Sequence, residues 1–176
     1  MKLAAAAAVV AAVVIVSGAG AYLLASDHDA GGIGTVSIYV KDAPSDWKHI
    51  NVTFSEVKIH KADADNESGW YTLSLEAQTI DLVSLTNLSE LLASGNVSAG
   101  KYTQIRIVIT SVTGTKADGE IVNFTVPSGE LKTTHPFNVT EDHTEALTLD
   151  FDLEHSIVQA GSGWKFKPVL GAIIEG

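Results

Sequence analysis

The sequence predicts an all-β fold, an antiparallel β-sandwich of about eight strands with the Greek-key connections of immunoglobulin- or transthyretin-like domains. Three observations carry this prediction. Short segments alternate apolar and polar residues with the period of two that a half-buried strand requires. Glycine, proline and aspartate cluster between these segments as turn signals. The chain has neither the strand–helix alternation of an α/β fold nor the internal repeat of a solenoid.

The first element along the chain is an apolar leader. Fourteen apolar residues occupy positions 3–16, with Lys2 before them and the small residues of 17–21 after them. This order is typical of a cleaved signal peptide, but the apolar stretch over 3–25 is also long enough to remain as an N-terminal membrane anchor helix. Both alternatives place the following residues outside the cell. The predicted organisation is a signal peptide or membrane anchor at 1–25, a linker at 26–33 and a β-sandwich domain at 34–175.

The strand pattern begins at 35–41, where an apolar side chain occurs at every second position. The next strand, 52–59, changes phase between its two apolar pairs, which predicts a β-bulge near Ser55 and Glu56. The later strand candidates are 70–75, 79–82, 101–111, 120–126, 131–139, 146–153 and 164–174.

One segment, residues 86–93, has the spacing of a helix instead of a strand. Leu88, Leu91 and Leu92 fall on one side of it, and Ser94 and Gly95 follow as a stop signal. The segment is short, and it therefore predicts a single crossover helix between the sheets of the sandwich.

Asparagine has an unusual distribution in this chain. There are six asparagines, and each of them is followed by the x-Ser or x-Thr that an N-glycosylation site requires. We therefore predict that this is a glycoprotein exposed to the outside of the cell. Such a high density of glycosylation sites in a chain without a disulfide is typical of an archaeal surface protein. The predicted glycosylation sites are Asn51, Asn66, Asn87, Asn96, Asn123 and Asn138.

Composition excludes several classes of function. The chain has no cysteine, which rules out disulfide scaffolds, thiol enzymes, zinc ribbons and lipoproteins anchored through a lipidated cysteine. The formal net charge of −10 argues against nucleic acid as a partner. No G-x-S-x-G nucleophile elbow occurs, and the S-x-x-K matches at Ser45 and Ser55 lack their partner motifs. The histidines lack the spacing of metal ligands. We therefore predict that the protein is not an enzyme.

Two acidic segments could bind a cation, and Ca²⁺ is the only cofactor that the sequence suggests. Asp63, Asp65 and Glu67 resemble the start of a calcium loop, although the EF-hand register fails in the following residues. The alternative is a solvated hairpin tip. Asp150, Asp152 and Glu154 alternate with apolar residues in the predicted strand 146–153, which would place three carboxylates on one face. The alternative there is a solvent-facing strand opposite lysines.

The three tryptophans offer a further binding hypothesis. Trp47, Trp70 and Trp164 each lie at the end of a predicted strand, beside a turn. They could form a platform on which sugars stack, since an indole presents a large apolar face. Packing at the end of the core is the competing interpretation.

Several motifs occur in order along residues 34–174. They are 41–44 (KDAP), 56–60 (EVKIH), 80–85 (IDLVSL), 91–95 (LLASG), 99–106 (AGKYTQIR), 126–129 (VPSG), 149–152 (LDFD) and 165–168 (KFKP). As an ordered set they resemble the domain-of-unknown-function family 4382 (DUF 4382). The resemblance implies a secreted or surface-anchored β-sandwich of archaea or bacteria, and it supplies no catalytic residue. Because bacterial lipoprotein members are expected to carry a cysteine after the leader, its absence here implies secretion or a peptide anchor.

Together these features predict a non-catalytic, N-glycosylated extracellular protein at the cell surface, with a structural or adhesive role. Its expected partners are N-linked glycans, other surface proteins or copies of itself, and the membrane through residues 3–25 if the leader is retained. A filament subunit is one form of this hypothesis, with residues 22–34 as a strand donated to the next subunit. The alternative is a surface module that binds Ca²⁺ or carbohydrate.

Overall fold

The computed structural model describes residues 31–42, 45–65 and 68–176. Within these residues the chain is dominated by β-strands, with one 3₁₀ turn, Leu82–Leu85, and one four-residue helix, α1 (Leu153–Ser156). The predicted all-β class is therefore confirmed. The strands are β1 (Ile33–Asp42), β2 (His49–Lys61), β3 (Trp70–Leu75), β4 (Thr79–Asp81), β5 (Glu90–Ser98), β6 (Gly100–Thr115), β7 (Ile121–Thr125), β8 (Glu130–Thr133), β9 (Phe137–Val139), β10 (Thr144–Phe151), β11 (Ile157–Ala160), β12 (Gly163–Phe166) and β13 (Leu170–Glu175).

The strands form one hydrogen-bonded path that curls into a half-barrel, so the predicted pair of separate sheets is not clearly distinguished. The path runs β11-β12-β7-β6-β2-β3-β5-β1-β10-β13, with β4 paired to β2, and β8 and β9 paired to β6. The curl brings Phe54 of β2 within 6.4 Å of Phe151 of β10, measured between ring centroids. One apolar core therefore lies inside the curled sheet.

The sheet is mixed, whereas the sequence predicted antiparallel pairing throughout. β1 pairs antiparallel with β5 on one side and parallel with β10 on the other, where Thr35 lies opposite Thr144. β12 also pairs in parallel with β7. Alternation of apolar residues identifies the buried face of a strand but carries no information about its neighbour or its direction.

The predicted inner face of β1 is confirmed. Val36, Ile38 and Val40 are fully buried, as expected for a strand between two neighbours. The hypothesis that residues 22–34 are donated to the next subunit is corrected at the C-terminal end of that segment. Ile33 and Gly34 are already paired with β5 of the same chain.

The bulge predicted in β2 is also confirmed. The register of β2 against β6 shifts on both sides of Phe54. A bulge inserts one extra residue into the strand. Phe54 and Val57 can therefore point to the same core although they are an odd number of positions apart.

The crossover helix predicted at 86–93 is wrong. Its second half belongs to β5, where Leu92 and Ala93 are buried, and Leu88 is 67% exposed. The 3₁₀ turn Leu82–Leu85 lies just before this segment. Leucine favours a helix in isolation, but β5 gains hydrogen bonds to β1 and β3 on both of its edges, and this pairing outweighs the local preference.

In the C-terminal half, three of the long predicted strands differ from the observed ones. The segments 131–139 and 164–174 each divide into two strands, and the segment 146–153 ends as a strand at Phe151. β11 and α1 were not predicted at all. Both are four residues long, which is too short for a periodic pattern to appear.

One buried tyrosine fixes the turn before β6. The Tyr102 side chain is fully buried, and its hydroxyl donates a hydrogen bond of 2.8 Å to the Ser98 carbonyl oxygen. Burial raises the pKa of this phenol, so it stays protonated and keeps donating.

The predicted leader, 1–25, and the first residues of the linker lie outside the described residues and stay predictions. In the part of the chain that the structure describes, no helix has both the length and the apolar character needed to cross a membrane.

Candidate functional site

An open cleft of about 370 Å³ lies beside β11 and β12, which form one edge of the curled sheet. We call it the aromatic cleft. Its walls come from the segment before β2, from α1 and the start of β11, and from β12. The lining residues are Ser45, Asp46, Trp47, Leu153, Glu154, Ile157 and Trp164.

Two of the three tryptophans form the aromatic wall of this cleft. The rings of Trp47 and Trp164 meet edge to face, with centroids 5.1 Å apart and planes at 88°. Phe124 lies behind both rings, at 5.2 Å from Trp47 and 6.4 Å from Trp164. Edge-to-face contacts of this kind are favourable because the positive edge of one ring meets the negative face of another.

The backbone positions Trp47 through the short turn before it and through the close approach of β6 to its ring. The amide of Trp47 donates to the Ser45 Oγ at 3.2 Å, and the Lys48 amide donates to the Thr115 carbonyl at 2.8 Å. Opposite the indole lies Gly114 of β6, where an added Cβ would be 2.7 Å from both Trp47 and Phe124. Only glycine therefore leaves room for these rings.

Trp164 reaches the cleft because β12 pairs in parallel with β7. In this register Trp164 lies opposite Phe124. The ammonium of Lys116 also lies 5.5 Å from the centre of the Trp164 ring, within the range of a cation–π contact.

Helix α1 carries Glu154 to the cleft, and Asp152 determines where that helix begins. Its Oδ1 accepts a hydrogen bond from the His155 amide at 3.0 Å, and its Oδ2 accepts one from the His155 ring at 2.7 Å. The buried Ser156 ends the turn: its hydroxyl donates to the Asp152 carbonyl and accepts from the Val169 amide.

These contacts change the acidity of Asp152. The hydrogen bond from the His155 amide lowers the pKa of this carboxyl most, partial burial opposes that change, and the His155 ring lowers it further. A carboxylate with a lowered pKa in the folded state stabilises the fold above its unfolded pKa, and the contribution disappears as the pH falls through the folded value.

We therefore expect the substitution Asp152→Asn to lower the melting temperature at neutral pH, but not in strong acid. The difference between the two proteins should shrink as the pH falls below the ordinary aspartate pKa of about 4, and it should disappear once the wild-type carboxyl is protonated too. Melting curves of both proteins from pH 7 to pH 2 would measure this. A difference that stays constant over the whole range would contradict it.

The predicted acidic strand face is not formed, because β10 ends at Phe151 and α1 begins two residues later. Asp150 pairs with Lys41 of β1 at 3.0 Å. Asp152 caps α1, and Glu154 lines the aromatic cleft. The three carboxylates thus have three separate surroundings.

The predicted calcium loop connects β2 to β3. Asp63 and Asp65 are exposed there, whereas Glu67 lies outside the described residues. The Nε2–H of the buried His60 donates to the carbonyl oxygens of Asp65 and Ser68, at 3.1 and 3.0 Å. Over the described ranges, no three acidic or histidine side chains gather at any point where they could hold a metal ion.

Trp70 is the tryptophan that the structure keeps apart. Its ring packs on His60 at 4.7 Å and under the guanidinium of Arg106 at 4.2 Å. The predicted three-tryptophan platform is therefore a pair, Trp47 and Trp164, and a separate residue.

The predicted glycosylation sites point away from the core wherever the structure describes them. Asn87, Asn96, Asn123 and Asn138 are exposed, and Asn51 is half-buried on the outer side of β2. Asn66 lies outside the described residues.

Sequence reasoning missed Ser45, Asp46, Leu153 and Ile157 as cleft residues. The only signal was that Ser45 and Asp46 precede a tryptophan near a proline, and such a pattern occurs in many turns.

Comparison with known proteins gives a family but no characterised relative. No curated protein matches the chain, and no solved structure does. Residues 33–168 match the family described as Domain of unknown function (DUF4382). This match covers most of the strands described above, and the chain therefore belongs to the DUF4382 family.

Proposed function

We propose that this protein is a non-catalytic, N-glycosylated extracellular protein, secreted or held by its N-terminus, with a structural or adhesive role at the cell surface. The observation that carries the proposal is the placement of asparagine. Every asparagine of the chain lies in a glycosylation motif. Each asparagine that the structure describes has its side chain outside the core. A bulky glycan can be attached only at such positions.

The positions of two sites support a surface role further. Asn51 lies opposite Thr113 of β6, which in turn lies opposite Asn123 of β7. Residues in register share a face, and neighbouring strands are about 4.8 Å apart, so the two asparagines are about 10 Å apart on one outer face. Glycans there would cover that face. Contacts with other surface proteins or with copies of this chain would then use the sheet edges at β11 and β13, or the aromatic cleft.

We also propose that the two halves of the curled sheet act as the faces of a Greek-key sandwich. The support is the contact between Phe54 and Phe151, which joins the inner sides of the two halves across the core. Dense glycosylation sites without any cysteine suit an archaeal cell surface, and a chain without disulfides relies on its core and its glycans for stability.

Glycopeptide mapping with intact mass and N-terminal sequencing tests this function. The full chain is expressed in an archaeal host that performs N-glycosylation, and its extracellular and cell fractions are compared. We expect the protein outside the cell or on its surface, with a mass above that of the polypeptide. An unmodified protein confined to the cell interior would overturn the proposal.

One residue provides a matched pair of variants for this test. Thr125 is exposed and completes the motif of Asn123. The substitution Thr125→Ala removes the motif and should lower the mass by one glycan, whereas Thr125→Ser keeps the motif and should retain that glycan.

A further inference from the structure

We propose that the aromatic cleft is a binding site for uncharged pyranose sugars. This inference deepens the proposed adhesive role by naming its ligand class and its site, and its test does not depend on glycosylation of the protein. The observation behind the inference is that the cleft combines a pair of indoles with carboxylates that are not engaged in ion pairs with the described side chains.

The two indoles can hold the apolar side of a sugar ring. Trp47 and Trp164 are both half-buried, so each is fixed in the fold and still lines the cleft. A pyranose has a face of C–H groups that packs on an indole, because the negative face of the aromatic ring attracts the weakly positive C–H hydrogens. The perpendicular arrangement at 88° makes a corner with two walls.

The polar residues of the cleft suit the hydroxyl groups on the rim of such a ring. Asp46 and Glu154 are exposed at the cleft, and neither forms an ion pair with a side chain in the described part of the chain. A carboxylate accepts hydrogen bonds from hydroxyl groups, and these bonds are stronger than neutral ones. The Ser45 hydroxyl adds a further polar group.

Charge and size restrict the ligand class. Two carboxylates in the cleft and a net charge of −10 disfavour acidic sugars such as uronic acids. A volume of about 370 Å³ is at the lower end of small-molecule sites and suits about one or two sugar rings.

The cleft is held in its shape before any ligand arrives. Phe124 supports both indoles, and the Asp152 cap and the buried Ser156 fix the turn that carries Glu154. A preformed site loses less conformational entropy on binding, which favours even a small ligand.

NMR of the indole N–H groups tests the proposal directly, because the three tryptophans report on two places. The full-length protein, made without glycans in a bacterial host and labelled with ¹⁵N, is titrated with methyl glycosides of neutral hexoses and N-acetylhexosamines and with their dimers. We expect the signals of Trp47 and Trp164 to shift with a Kd on the order of 0.1 to 1 mM, while that of Trp70 stays unchanged. Acidic sugars should give no shift.

Two pairs of variants identify the contacts. Trp164→Ala should weaken binding at least about tenfold, and the matched Trp70→Ala should leave the Kd unchanged. Because Trp164 also packs on Phe124, Glu154→Gln provides a variant that spares the packing. It should weaken binding about threefold to tenfold, whereas Glu90→Gln, at an exposed position of β5, should have no effect. Melting temperatures verify that each variant is folded.

The proposal fails if no neutral sugar in the panel shifts the two indoles, or if the sugars shift all three equally. Stronger binding of a lysine-containing peptide than of any sugar would also overturn it, since a cation could use the same carboxylates and rings. None of these outcomes affects the glycan mass that tests the extracellular role. An unglycosylated intracellular protein that still binds sugars would overturn that role alone.

Discussion

Replacing Gly34 with alanine is expected to lower the free energy of unfolding by about 3 kcal/mol. Gly34 is buried in β1, directly under the turn that joins β9 to β10. A Cβ at this position would lie 2.6 Å from Cγ1 of Val139 and closer still to the Thr140 carbonyl oxygen. The carbonyl is part of the backbone and cannot rotate away, so the turn itself would have to move. Urea unfolding of the two proteins would measure the change.

Gly171 of β13 is the matched control for this substitution. It is exposed and also lies in a strand, and the nearest atom to an added Cβ is the Asp150 carbonyl oxygen, at an ordinary contact distance of 3.9 Å. Alanine there should be neutral or should stabilise by up to about 1 kcal/mol, because it restricts the unfolded chain. Equal effects at the two glycines would show that the turn over β1 adapts and would contradict the argument.

The substitution Phe54→Ala should lower the free energy of unfolding by about 3–5 kcal/mol. Phe54 is 1% exposed, it lies beside the bulge of β2, and its ring meets Phe151 where the two halves of the half-barrel pack together. Removing the ring leaves a cavity that the paired strands on both sides cannot fill. Since domains of this size are stable by about 5–15 kcal/mol, the loss is a large fraction of the total. Thermal and urea unfolding would report it.

A surface residue gives the comparison for Phe54. Ile121 of β7 is 73% exposed, so Ile121→Ala should change stability by about 0.5 kcal/mol or less. Phe54→Leu should fall between the two, because most of the volume is kept. If Phe54→Ala cost no more than Ile121→Ala, the contact with Phe151 would not join the two halves of the sheet.

Local alternation of apolar and polar residues predicted the strands that have one buried face and one solvent-facing face. β3 has the bounds that its alternation indicated, and the change of phase in β2 located the bulge beside Phe54. In both strands the information lies within a few residues: which side chains are apolar, and at what spacing.

The segment around Leu91 could not be predicted from such a pattern. Its leucines fit a helix, and what makes β5 a strand is hydrogen bonding to β1 and β3, which lie elsewhere in the sequence. The same limit applies to the acidic strand face, because the end of β10 depends on the Asp152 cap and on the contact of Ser156 with Val169. Neither contact produces a periodic signal.

The aromatic cleft shows where sequence reasoning about sites reached its limit. Aromatic residues at strand ends were recognisable, and all three tryptophans were equivalent by that criterion. The parallel register that places Trp164 beside Phe124, and the space at Gly114 that admits Trp47, distinguish the pair from Trp70. Both are properties of strand pairing between distant segments.

The parallel pairing of β1 with β10 also has a consequence for the order in which the chain folds. Thr35 lies opposite Thr144, so most of the chain lies between two strands that are neighbours in the sheet, next to its edge strand β13. Contacts between such distant residues are typical of slow folding, since a long loop must close before they contribute. Until β10 has been synthesised, one edge of β1 is open to pairing with other chains. We therefore expect no N-terminal fragment that ends before Phe151 to fold by itself, so the half-barrel forms in one late cooperative step.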